Sequence, residues 1–188
     1  MMGDISLLLE GARQGDRTAV DQLFKLLYPE LRKIAQGRLH KSTPLTMVGA
    51  TVLVNESYLR MVSTGKLGVT DRLHFLAYSA RVMRSIIVDL VRERMAQRRG
   101  AGQVEVTLVT EIAHAVPEPE TEILAVSEAL DMLANIDAKL VEVVELRYFA
   151  GLTEVEAAAA LGVSERTVRR LWEKARVMLS SALRPTSN

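Results

Sequence analysis

"TEVEAAAALGVSERTVRRLWEKARVML", residues 153–179, holds an alanine-rich stretch, one glycine, and then a longer stretch in which arginines are interleaved with apolar residues. Two helices that cross closely need a small residue at the crossing, a glycine able to turn left-handed between them, and apolar residues that lock the second helix on the first. Counting from Glu154 as position one, Ala158 supplies the small residue, Gly162 the turn, and Leu161, Val163, Val168 and Leu171 the lock. Thr153 ahead of Glu156 has the spacing of a capping box, and Ser164 is a natural cap for the second helix. The spacing predicts a helix-turn-helix.

On the second helix Glu165, Arg166, Thr167, Arg169, Arg170 and Lys174 are left for the outer face. A helix of this kind in a major groove presents its N-terminal residues to base edges and its later cations to phosphates. Because the small residue, the turn glycine and the cationic face coincide, duplex reading is favoured over a hairpin with a merely solvated basic side. Trp172 reads as a packing residue rather than a base-stacking platform.

Outward from this motif, apolar residues recur at spacings of three and four, and alternating strand-like runs are nearly absent. The pattern predicts an all-α protein. Gly15-Asp16, Ser42-Thr43-Pro44 and Ser63-Thr64-Gly65 with Gly68 divide residues 1–95 into about four helices. The pattern decays where Gly100, Gly102, Pro117 and Pro119 fall, although "VEVTLV" at 104–109 has the character of a short strand or an extended segment. Two small helical domains are expected, residues 1–98 and 122–184, joined by a flexible linker at 99–121 and followed by a tail at 185–188.

The net charge of +1 hides a division: residues 1–99 sum to +7, residues 100–162 to −10 and residues 163–188 to +4. Basic ends in separate domains suit a polyanion, and the acidic middle is expected to attract one or both of them in the free protein. There are no cysteines, and His40, His74 and His114 lack ligand spacing, so neither a disulfide nor a metal site is expected. No nucleophile, base and orienting residue fall into a convincing arrangement, so an enzyme is not expected. No apolar run reaches the ~18 residues of a membrane span, and "MMGDISLLLEGARQGD" is acidic where a signal peptide is basic. A cytoplasmic protein without a cofactor or membrane partner is expected.

"RVMRSIIVDLVRERMAQRR", residues 81–99, places Arg81, Arg84, Arg92, Arg94, Arg98 and Arg99 opposite the apolar positions Val82, Met83, Ile86, Ile87, Leu90 and Val91. Phe75 and Tyr78 lie just ahead. Cations beside aromatics suit single-stranded nucleic acid, although core packing is the commoner fate of such rings.

The order of motifs, "LVNESYLRMV" at 53–62, "HFLAYSARVMRSIIVDLVRER" at 74–94, a linker, and "LVEVVELRYFAGLTEVEAAAALGVSERTVRRLWEKAR" at 140–176, resembles a bacterial sigma factor of the extracytoplasmic-function (ECF) type, the minimal branch of the sigma-70 family. The resemblance implies two domains, region 2 and region 4, that bind core RNA polymerase and promoter DNA. It implies minus-35 reading by Ser164, Arg166, Thr167, Arg169, Arg170 and Lys174, and minus-10 recognition and melting by Arg81, Arg84, Arg92 and Arg94. It further implies docking on the clamp helices of the largest polymerase subunit through Val52, Leu53, Asn55, Glu56, Leu59 and Arg60. Tyr148 and Phe149, in the approach to the helix-turn-helix, are expected in the core.

In most ECF sigma factors the docking helix is introduced by Asp-Ala-Glu-Asp and then Leu-Val-Gln-Glu. Here "LVNE" is preceded by Gly49, Ala50, Thr51 and Val52, so the acidic motif is missing, while Asn55 keeps an amide and Glu56 is retained. The loss removes charge pairs with a basic docking surface. A phosphate on Thr51 restores about 1.5 to 2 negative charges and three acceptor oxygens. One group of ECF sigma factors lacks the acidic motif and is activated by a serine/threonine kinase rather than by release from an anti-sigma factor. The resemblance to that group implies a kinase partner, no anti-sigma factor, and Thr51 as the phosphorylated switch, with Thr46 and Thr43 as weaker candidates. A helix-turn-helix regulator that binds duplex DNA without polymerase, and a helical adaptor that binds proteins only, are the alternatives.

Overall fold

The computed structural model describes residues 2–40, 49–65, 67–100 and 119–184. The run at 104–109, Thr43, Thr46, the tail and most of the expected linker lie outside the described residues. Within them all regular secondary structure is helical, in keeping with the all-α reading, and no helix is long and apolar enough to cross a membrane.

Five helices precede the linker: α1 (Met2–Gln14), α2 (Arg17–Leu26), α3 (Tyr28–His40), α4 (Ala50–Thr64) and α5 (Arg72–Gly100). Gly15, at φ 91°, turns the chain between α1 and α2, and Asp16 caps α2 by accepting from the Thr18 N–H at 2.8 Å. The two helices cross at Gly11, where an added Cβ would come within 2.8 Å of the Ala19 Cβ. The break at Leu27 divides a stretch that sequence patterning joined. Pro29 explains it, since a proline has no N–H to donate back along α2 and its ring clashes with the carbonyl four residues earlier.

These helices bury Leu23, Leu27, Leu31, Leu53, Met61, Phe75 and Met83 in a first core. The Phe24 ring meets Tyr58 and Phe75 edge-on, with centroids 5.2 and 5.5 Å apart. At 29 residues, α5 is long enough to serve more than this core: Leu73 and Ala77 pack against a second one.

The second core belongs to α6 (Pro119–Ile136), α7 (Ala138–Val144), a π-helical turn (Glu145–Phe149), α8 (Glu154–Leu161) and α9 (Glu165–Ala182). Pro119 opens α6 with Glu120 and Glu122 in its first turn, a favourable start because proline loses no needed donor there and acids complement the helix dipole. The segment expected as linker, 99–121, is thus helical at both ends. Leu130, Leu133, Leu140, Val143, Leu146, Ala157, Val168 and Ala175 fill the core.

Phe149 and Ala150 pack against both cores, and Ile123 and Leu124 of α6 touch the first. Tyr148, expected inside, is 49% exposed. The π turn, closed by the Ala150 N–H on the Glu145 carbonyl at 2.8 Å, widens the helix and rotates Tyr148 out of register with the buried Val141 and Val144.

Candidate nucleic-acid interface

The helix-turn-helix is built as its spacing predicts. Thr153 and Glu156 form a reciprocal capping box: the Glu156 N–H donates to Thr153 Oγ1 at 3.2 Å and the Thr153 N–H to Glu156 Oε2 at 2.8 Å. Hydrogen bonds donated by the Thr153 N–H and by its hydroxyl, each 2.8 Å from Glu156 Oε2, hold the Glu156 carboxyl below the usual range against the opposing effect of burial. Gly162 takes φ 63° and ψ 33°, the left-handed conformation the turn demands. Ser164 then caps α9 by accepting from the Thr167 N–H at 3.2 Å, while Val168 and Ala175 are fully buried and Leu171 nearly so.

Ser164, Arg166, Arg169, Arg170 and Lys174 are exposed on α9, with Thr167 half-buried beside them. Arg169 donates to Glu154 Oε2 through Nη2 at 2.9 Å and Nε at 3.3 Å, which ties the outer face of α9 to the start of α8. Arg147 lies 3.8 Å from the other Glu154 oxygen and places its guanidinium 5.6 Å from the centre of the Trp172 ring. Trp172 is half-buried against the second core, the packing role read for it.

On α5, Phe75 is buried in the first core, while Tyr78 is half-buried at its edge. Arg81 and Arg84 face the second unit: Arg81 Nε donates to Glu145 Oε2 at 2.6 Å and Arg84 Nη2 to Glu145 Oε1 at 3.3 Å. Glu145 is only 2% exposed. Arg84 also reaches the Ser127 hydroxyl at 3.5 Å and lies 6.0 Å from the centre of the Phe149 ring. Arg92 is exposed and Arg94 half-buried, both more than two turns beyond Arg84. Sequence reasoning missed Glu145, yet a signal was present: it is a lone acid between Val144 and Leu146, in a helical register otherwise given to the core. A charge at such a position requires a partner.

On α4, Val52 and Leu59 are half exposed, and Asn55, Glu56 and Arg60 are exposed with them. Their spacing puts them on one stripe of the helix. Leu53, expected among the docking residues, is instead fully buried in the first core, because its position falls on the opposite face with Val54, Ser57 and Met61. Arg60 bridges from the stripe to α5, donating to Asp89 at 2.8 Å and Ser85 at 2.9 Å. Gly49 caps α4 without a side-chain bond, and no acidic residue stands in its first turn. Thr51 is exposed in that turn, and its Oγ1 lies 3.4 Å from the Tyr28 hydroxyl.

The family model described as ECF sigma factor matches residues 2–185. The chain belongs to the ECF sigma factor family. No curated protein matches the chain. Sigma factors of this family are non-enzymatic transcription factors that bind core RNA polymerase and promoter DNA.

Proposed function

We propose that this sigma factor directs polymerase to specific promoters through two units, residues 1–98 and 122–184 joined by the 99–121 segment, and that phosphorylation of Thr51 by a serine/threonine kinase switches its docking on. The observation that carries the switch is an exposed hydroxyl in the first turn of a helix with no acidic residue in that turn. Negative charge there is favoured by the helix dipole, by about 0.3 to 1 kcal/mol. The added phosphate also adjoins the stripe of Val52, Asn55, Glu56, Leu59 and Arg60, where it would meet cations on the clamp helices. Leu53 supports this stripe from inside the core. Ser164, Arg166, Thr167, Arg169, Arg170 and Lys174 read the minus-35 element, and Arg81, Arg84, Arg92 and Arg94 engage the melted minus-10 strand. Activation by a kinase leaves no role for an anti-sigma factor.

Pull-down of core polymerase by the wild type, Thr51→Ala and Thr51→Glu, with and without a kinase, tests the switch. Binding is expected from phosphorylated wild type and, more weakly, from Thr51→Glu. Equal capture by every form removes the switch, and absence of run-off transcription with core enzyme under any of these conditions removes the sigma assignment to this chain.

A further inference from the structure

Arg81 and Arg84 are assigned above to the melted minus-10 strand, yet the fold turns both toward Glu145 of the other unit. Resting on that assignment, we infer that the Glu145 contact is an autoinhibitory lock: in the free chain the carboxylate occupies these two guanidinium groups, and single-stranded DNA gains them only when the units part. A carboxylate and a phosphodiester are alternative anionic acceptors for the same donors, so the two occupancies exclude one another. Arg81 keeps 51% of its side chain exposed and Arg84 only 18%, so the lock covers Arg84 more completely.

The contact is also made to open. Glu145 is a buried carboxylate whose desolvation offsets much of its attraction to the arginines, and parting the units returns it to water. Arg84 Nε is buried with no hydrogen-bond partner among the described residues, a cost carried only by the closed arrangement. Beside it runs a cleft of about 680 Å³ between the units, walled by Ile34, Leu76, Ile87, Val126 and Phe149. An interface that leaves such a space is less tightly packed than either core. The charge division supports the same geometry, since the −10 segment supplies Glu145 and the +7 segment supplies its partners.

The chain has no cysteine, so Ser63→Cys and Ser181→Cys, both at exposed sites, accept a fluorophore pair that reports the distance between units. In this background Glu145→Gln is expected to lower energy transfer and to tighten binding of a fluorescein-labelled, AT-rich single-stranded DNA roughly tenfold. The charge-swapped combination Arg81→Glu, Arg84→Glu and Glu145→Arg is expected to restore high transfer. The lock is overturned if Glu145→Gln leaves transfer unchanged, or if it opens the units with no gain in DNA binding. Should Glu145→Gln lose its helical circular dichroism, the unsubstituted pair is read across a NaCl series from about 50 mM to 1 M. Transfer that falls with salt supports the lock, and transfer that stays constant overturns it. None of these readouts uses polymerase or Thr51, so a failed sigma assignment shows itself separately, in run-off transcription.

Discussion

On α5, Arg81 and Arg84 meet a carboxylate 64 and 61 residues away, on the other unit and almost wholly buried. On α9, Arg169 meets Glu154 only 15 residues away, inside the same motif and at the surface. Both helices carry arginines over an apolar face, and by composition they look alike. Their difference lies in what would have to move to free the guanidinium groups: two whole units for α5, one side chain for α9. An arginine-rich helix is therefore a capacity for binding, and its availability depends on where the nearest acid sits.

The most severe test of this contrast is Phe75→Ala, which empties the aromatic centre of the first core and is expected to cost about 3–5 kcal/mol. Amide exchange should accelerate through α1 to α5 while α8 and α9 keep their protection. Loss of protection in both units together would mean that α9 depends on α5, and the contrast would fail. A smaller effect is expected from Gly162→Val, which forces a β-branched residue into the left-handed region at about 1–2 kcal/mol. It should lower the thermal midpoint of the C-terminal unit and weaken duplex binding.

Arg169→Ala sharpens the comparison at the surface. It is expected to leave the thermal midpoint where it is, because an exposed pair contributes little, yet to reduce the salt slope of promoter binding by roughly one. Fluorescence anisotropy across a salt series, with holoenzyme on duplex promoter, measures it. The smallest effect is a pH dependence. Glu156 and Glu30 both titrate below the ordinary value: Glu156 through its bonds from Thr153, and Glu30 because the upward push of burial is outweighed by the Arg72 hydrogen bond, its own backbone N–H and the charges of Arg72 and Lys33 taken together. Such groups stabilise the fold fully above the unfolded value, about pH 4.3, and lose that contribution as pH falls through the lower folded values. Glu156→Gln should flatten this acid limb slightly for the C-terminal unit and leave the limb due to Glu30 intact, as followed by circular dichroism.

The helix-turn-helix was legible residue by residue because its determinants are local. A capping box joins residues three apart, a left-handed glycine acts where it stands, and Val168, Leu171 and Ala175 repeat at helical spacing. The docking residues on α4 were legible as a segment but not as a face, so Leu53 was counted among them although it is buried with Val54, Ser57 and Met61. The break at Leu27 was passed over although Pro29 announces it, because the apolar pattern runs through without interruption. Tyr148 was misplaced for a different reason: nothing local marks a π turn, and one extra residue per turn is enough to carry a ring from core to surface.

By itself, the sequence determined that the chain is helical, where the helix-turn-helix begins and turns, which helices are basic, and that α4 starts without acids. Those properties depend on neighbours within about one helical turn, and they survive whatever the rest of the chain does. Only the tertiary structure decided that Glu145 faces Arg81 and Arg84, because two units with opposite charge can be docked in many ways that the same residues allow. Packing of Phe149 and Ala150 against both cores selects one of them, and with it the partner that each arginine keeps.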